Sequence, residues 1–371
     1  MSTFKEICFT PAEFSSLAKI EKSFIPALEE GGILKTIKRR VGNVDRKMIP
    51  LVEAQNYFRH LREVVESGRH GDQIVAALEA KEARLAAIAD GTGATAAGPA
   101  FSAETPIEVI AAATGFVPLA PMHKVQMFYN VKGGTGKSTL TAQYVMRAAM
   151  MGYRVLALDL DGQGHLTVNL DILDAHERPT IYDVLINDLP IADSIMNVAP
   201  CLDLIPANLG LCNIEIPLNN KTRREYRLSE AIRKIADQYD IIVSDTNPAA
   251  SILNGSMLVA ASKVNVVCAT NPLSFHGMSL VMATIEEMEK EFDRSLNVTI
   301  VPNLYDNREV ISQEVLGELR SQFPDHCTRS VMNRSADINE ATKRRTTVFD
   351  VNSRGMGATD VNALTEELLF S

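Results

Sequence analysis

Residues 131–140 read VKGGTGKSTL and stand between an apolar segment, VQMFYN (125–130), and a run of good helix formers, STLTAQYVMRAAMMG (138–152). Glycines at 133, 134 and 136 allow backbone N–H groups to close around phosphate oxygens. A helix starting there adds the partial positive charge of its N-terminus. In such a loop Lys137 reaches the β and γ phosphates and the Ser138 hydroxyl ligates Mg²⁺, with Gly133, Gly134, Thr135, Gly136 and Thr139 completing the nucleotide cradle. The run fits KGGxGK[ST] rather than GxxxxGK[ST], because Val131 occupies the first glycine position of the usual pattern.

Further along, short apolar segments alternate with helical patterns. RVLALDL, LDLIPA, DIIVSD, KVNVVCA and NVTIVP read as buried parallel strands, and RREYRLSEAIRKIADQ and GMSLVMATIEEMEKEF as the helices between them. The alternation predicts an α/β fold of the P-loop NTPase kind, a mostly parallel sheet covered by helices on both faces, with ligands at the carboxyl ends of the strands. Two acidic loops fall at such ends. RVLALDLDGQG carries Asp159 and Asp161, of which Asp159 is read as approaching Mg²⁺ and Asp161 as orienting the attacking water; YDIIVSD places Asp245 where a carboxylate holds the Mg²⁺ hydration shell. Phosphoryl transfer needs positioning and charge neutralisation more than a strong base. Asn303, after NVTIVP, is a candidate reader of the adenine edge.

Ahead of the loop the composition changes. DGTGATAAGPAFSAETP (90–106) has no amphipathic period and reads as linker, so the expected organisation is a small, mainly helical N-terminal domain at 1–89, a linker at 90–122 and the ATPase domain at 123–371. IVAALEAKEARLAAIA (74–89) reads as a helix. The head itself reads as a helix-turn-helix with a basic wing: a helix from Pro11, a second around Ser23–Glu30, a Gly31-Gly32 stop, then KTIKRRVGNVDRK. The whole chain of 371 residues has a net charge of −9, yet residues 1–70 carry twelve Lys/Arg against nine Asp/Glu. The local excess makes Lys38, Arg39, Arg40, Arg46 and Lys47 a candidate DNA footprint.

Other classes are disfavoured. The five cysteines are scattered and never spaced as CxxC, which argues against a disulfide framework, a zinc site or an iron–sulfur cluster. No apolar stretch approaches the roughly eighteen residues of a membrane span. The start, MSTFKEICFTPAEF, lacks the pattern of a secretory signal, so a cytoplasmic location without membrane association is expected.

KGGTGKST, DLDGQG, LDLIPANLGL, YDIIVSDTNP, LYDNREVISQEVLGEL and INEATKRRTTVFDVNSRG together resemble successive blocks of the ParA partition ATPases over residues 123–371, in the larger plasmid type that carries an N-terminal DNA-binding domain. Departures are Gly162 and Asn247 where the family commonly has Pro, and Asp337 where some chromosomal members have Arg. The resemblance implies an ATP-bound homodimer in which Lys132 reaches the partner subunit's nucleotide. It also implies non-specific DNA binding on the nucleoid, and weak hydrolysis stimulated by a ParB-like partner. By the same resemblance, candidate DNA contacts are Arg320, Arg329, Arg334, Lys343, Arg344 and Arg345. Rival readings are a ParA-like positioner of a protein cargo and a MinD-like division regulator; the second needs a basic amphipathic tail, whereas ATDVNALTEELLFS is acidic.

Overall fold

The computed structural model describes residues 7–41, 44–67, 105–106, 109 and 120–371. The helix expected at 74–89 and nearly all of the linker expected at 90–122 lie outside these residues. The chain divides into two compact units, a head of Glu6–Ala120 with Met150–Gly152 and a body that holds Pro121–Ala149 and Tyr153–Ser371.

In the head, β1 (Cys8–Phe9) leads into the helix Pro11–Ala18. Thr10 and Glu13 start that helix as a reciprocal capping box, Glu13 N–H donating to Thr10 Oγ1 at 3.3 Å and Thr10 N–H to Glu13 Oε2 at 2.7 Å. A 3₁₀ turn (Lys22–Phe24) and the helix Ile25–Glu30 follow, closed by Gly31 and by Gly32 at φ 72°. β2 (Ile37–Val41) and β3 (Val44–Pro50) then form an antiparallel hairpin, and the long helix Leu51–Glu66 follows. β1 pairs with β3, so the head contains a three-stranded antiparallel sheet beside the expected helices. Its core is aromatic: Phe14 meets Tyr57 edge-on at 5.2 Å, and Tyr57 meets Phe58 at 5.3 Å.

The body is built on seven strands in the order β10-β9-β4-β8-β5-β7-β6, where β4 is Val125–Tyr129, β5 Val155–Leu160, β6 Met196–Ala199, β7 Leu202–Ile205, β8 Ile241–Thr246, β9 Lys263–Ala269 and β10 Asn297–Asn303. All neighbours are parallel except β6 and β7. Every residue of β5, β8 and β9 is buried, as a sheet covered on both faces requires. The covering helices include Lys137–Met150, Arg224–Arg233 and Met278–Glu291, matching the three helical runs of the sequence to within a few residues. β8 lies at the centre, between β4 and β5. That order brings the loops after β4, β5 and β8 together at one edge of the sheet.

Candidate nucleotide site

The loop after β4 turns on Gly134 (φ 75°) and Gly136 (φ 84°), a backbone region that L side chains rarely adopt. Two asparagines brace it. Asn130 accepts from Lys132 N–H at 2.9 Å and donates to the Val267 carbonyl at 2.8 Å, pinning the start of the loop to β9. Asn303 donates to the Thr135 carbonyl at 2.8 Å, and its amide stands only 2.5 Å from where a Cβ on Gly136 would lie. The Asn303 amide N–H is thereby tied to the phosphate loop; Asn303 still lines a small cavity with Gly136, Thr139, Leu140, Gln143 and Leu304. A larger cavity, about 430 Å³, lies between the helices Ile181–Ile186 and Arg224–Arg233 and holds none of the phosphate-binding residues.

Lys137 opens the helix Lys137–Met150 and is buried, with its ammonium 3.5 Å from the Lys132 carbonyl. Burial lowers its pKa, opposed by the nearby charges of Asp245 and Asp161. Asp245 in β8 stands in register with Asp159 in β5, and both are fully buried. Among the described residues neither Asp245 oxygen has a hydrogen-bond partner of ordinary geometry. Burial, then the charge of Asp159, push Asp245 up to about 8, while the Ser138 hydroxyl and Lys137 only partly offset the rise. An unpartnered buried carboxylate facing a hydroxyl and an ammonium fits a hydrated Mg²⁺ carried in with a nucleotide.

Asp159 is engaged differently. Its Oδ2 accepts from the Thr167 N–H (2.8 Å) and hydroxyl (2.7 Å), and its Oδ1 from Asp161 N–H at 3.1 Å. Expected at the cation, it is first a brace of the loop after β5, with only its remaining lone pairs left for a metal-bound water. Burial holds it at about 6 despite those donors. Asp161 is barely exposed, and its Oδ1 accepts from Gln163 N–H at 3.0 Å.

Two residues of this region escape sequence reasoning. Asn254 donates to Asn247 Oδ1 (2.8 Å) and the Ala249 carbonyl (2.7 Å), holding the loop after β8 and giving the Asn247 departure a structural role. Glu215 accepts from Ile252 N–H at 2.8 Å and so caps the helix Ile252–Ala260 from a different segment. An N-terminal Ser251 signals the start of that helix in sequence, but no local pattern points to Glu215.

The expected DNA contacts do not form one uniform group. In the head, Lys38 faces Lys47 and Arg39 faces Arg46 across the hairpin, all exposed, while Arg40 faces Asp45 and Lys47 also pairs with Glu29. In the body, Arg320 donates to the Arg329 carbonyl at 3.1 Å, Lys343 and Arg344 share Glu340, and Arg345 lies 3.6 Å from Asp171. Arg334 is exposed. Asp337 accepts from Asn352 at 2.9 Å.

Among known proteins, a sequence profile described as an AAA domain matches residues 123–298. The chain is 32% identical to the cell division protein PomZ of Myxococcus xanthus (strain DK1622) over 249 residues, which is 67% of this chain and 78% of that protein. It is 32% identical to the chromosome partitioning protein ParA of Caulobacter vibrioides (strain NA1000 / CB15N) over 222 residues, 59% of this chain and 83% of that protein. Among solved structures it is similar to cobyrinic acid a,c-diamide synthase from Mycobacterium smegmatis with bound ATP analogue and magnesium, with a TM-score of 0.58 and 26% identity over 66% of this chain and 94% of that one. It also shares its fold with apo McdA of Cyanthece, with a TM-score of 0.60 and 18% identity over 66% and 99% of the two chains.

Proposed function

Because this chain belongs to the ParA family of P-loop ATPases, we propose that it is a DNA partition ATPase that dimerises on ATP, binds DNA without sequence preference and releases it when a ParB-like partner speeds hydrolysis. The observation that carries the reading is the convergence of Lys137, Ser138 and the unpartnered carboxylate of Asp245 at one end of the glycine loop.

In this reading the backbone N–H groups of Gly133 to Ser138 cradle the phosphates, and Lys137 neutralises charge on the transferred group. Ser138 and Asp245 would hold the Mg²⁺ that enters with ATP, with Asp159 bracing the loop beside them. Mg²⁺, when bound with ATP, would supply neutralisation of the phosphate charge. Asp161, on the turn after β5, orients the attacking water. Lys132 precedes the glycines and reaches the nucleotide held by a second copy, which makes the dimer depend on ATP.

DNA contacts are assigned to the exposed cations of the body, Arg320, Arg329, Arg334, Lys343 and Arg344, with the half-buried Arg345, and to the head hairpin. Lys38/Lys47 and Arg39/Arg46 gather four cations on one exposed ribbon, of which Lys47 also meets Glu29, and such a cluster attracts the phosphates of a DNA backbone. A two-stranded ribbon fits a DNA groove. The short helix Ile25–Glu30 ends in Glu29 and Glu30, so the head's contact with an operator falls on the hairpin. The location is the cytoplasm, on the nucleoid, with a plasmid or chromosome as cargo; among the described residues no helix is long and apolar enough to cross a membrane. A second reading, a positioner of another cargo, is favoured by the 32% identity to a cell division protein.

The test is phosphate release from ATP with Mg²⁺ or with EDTA, for the native chain and for Lys137→Ala. Turnover that needs Mg²⁺ and vanishes in the variant supports the reading; turnover surviving in Lys137→Ala contradicts it.

A further inference from the structure

We propose that Gly162 is a positioning residue for Asp161: its missing side chain lets the turn that carries Asp161 rest directly on Cys212, and this seat sets where the carboxylate stands. The inference rests on the reading of Asp161 as the water-orienting group.

Asp161 cannot move apart from its turn, because its carbonyl accepts from Gly164 N–H at 2.8 Å and its carboxylate accepts from Gln163 N–H at 3.0 Å. Three contacts set that turn on the segment after β7. A Cβ at Gly162 would lie 2.8 Å from the Cys212 nitrogen and 3.3 Å from its Cα, and would overlap its Sγ. A Cβ at Gly164, where φ is +66°, would lie 3.3 Å from the Ala207 carbonyl oxygen. Thr167 Oγ1 accepts from Ala207 N–H at 3.0 Å while donating to Asp159.

The seat is itself held from several sides. Asn208 Oδ1 accepts from Gly210 N–H at 2.9 Å, and Leu211 and Ile214 are buried beneath it. Glu215, at its end, caps the helix that follows the Asp245 loop. One segment therefore underlies the loops of both acids. The atoms opposite Gly162 are mainly backbone, so a side chain added there displaces the catalytic turn more readily than the seat. The contacts named here for Gly162 lie on Cys212, not on the phosphate loop, so ATP binding should be spared.

The experiment compares full-length Gly162→Ala, Asp161→Ala and the native chain for kcat, for KM and for ATP affinity by titration with a fluorescent analogue. A displacement approaching 1 Å at a catalytic group costs up to about 100-fold, so Gly162→Ala should lower kcat roughly 10- to 100-fold while changing ATP affinity by less than about threefold. Adding Cys212→Gly, which removes the sulfur and frees the backbone at 212, should recover at least about threefold of the lost kcat. A kcat within about twofold of native in Gly162→Ala, an equal loss of affinity and kcat, or no recovery in the double variant overturns the inference and leaves the Asp161 reading standing. Full turnover in Asp161→Ala overturns both. If Gly162→Ala fails to fold, Cys212→Leu, which thickens the seat beneath an intact Gly162, is judged by the same split between kcat and affinity.

Discussion

Replacing Asp245 with Asn should stabilise the metal-free protein while disabling it. Asp245 faces Asp159 in register between β8 and β5, fully buried and without a hydrogen-bond partner of ordinary geometry. Burial and that neighbouring charge raise it to about 8, against about 4 in an unfolded chain. The folded state therefore keeps a proton that the unfolded state releases, and metal-free stability falls as pH rises from about 4 towards about 8. At pH 7 the span of about three units corresponds to roughly 4 kcal/mol. Asn removes this term but leaves a buried amide short of partners, at about 1–3 kcal/mol, so the net gain is about 1–3 kcal/mol, or roughly 2–10 °C in melting temperature. The assay is thermal unfolding in EDTA without nucleotide at pH 5 and pH 7.5. Asp245→Asn should melt above the native chain at pH 7.5, with a smaller difference at pH 5. With Mg²⁺ and ATP the native chain should gain stability and the variant much less. A variant melting at or below the native chain in EDTA at pH 7.5 would refute the account of this carboxylate.

Asp161→Ala should bind ATP with near-native affinity and lose turnover, read by nucleotide titration beside phosphate release. Lys132→Ala should keep ATP binding by the monomer but lose the ATP-dependent doubling of mass in light scattering; an unimpaired dimer would remove its cross-subunit role. Arg39→Glu with Arg46→Glu should abolish binding of the head to its operator in a mobility-shift assay while leaving ATP turnover unchanged, and undiminished binding would exclude the hairpin.

The parallel strands and the phosphate loop were legible because each is a local pattern: an apolar run between turn residues, or glycines at fixed spacing before a helix. β6 was not, since Met196–Ala199 is short, on the sheet edge and antiparallel, with no alternation to mark it. In the head, the capping box of Thr10 and Glu13 and the glycine stop are local signals, whereas the pairing of the two-residue β1 with β3 depends on contacts about forty residues away. Candidate acids could be named from strand ends, but their division of labour could not. Asp159 became a brace because Thr167 returns to it, and Asn303 turned to the phosphate loop because that loop passes beneath its strand end. Counting cations likewise missed Glu340 and Asp171, which partly neutralise the basic residues near 344.

Whether this protein is an ATP-switched DNA binder is decided by its binding to a random-sequence DNA duplex, followed by fluorescence anisotropy with ATP, with ADP and without nucleotide over a salt series. Tight binding with ATP alone that weakens steeply with salt is expected, because sequence-independent contacts are made to phosphates. Binding that is indifferent to nucleotide, or absent under all three conditions, would contradict it.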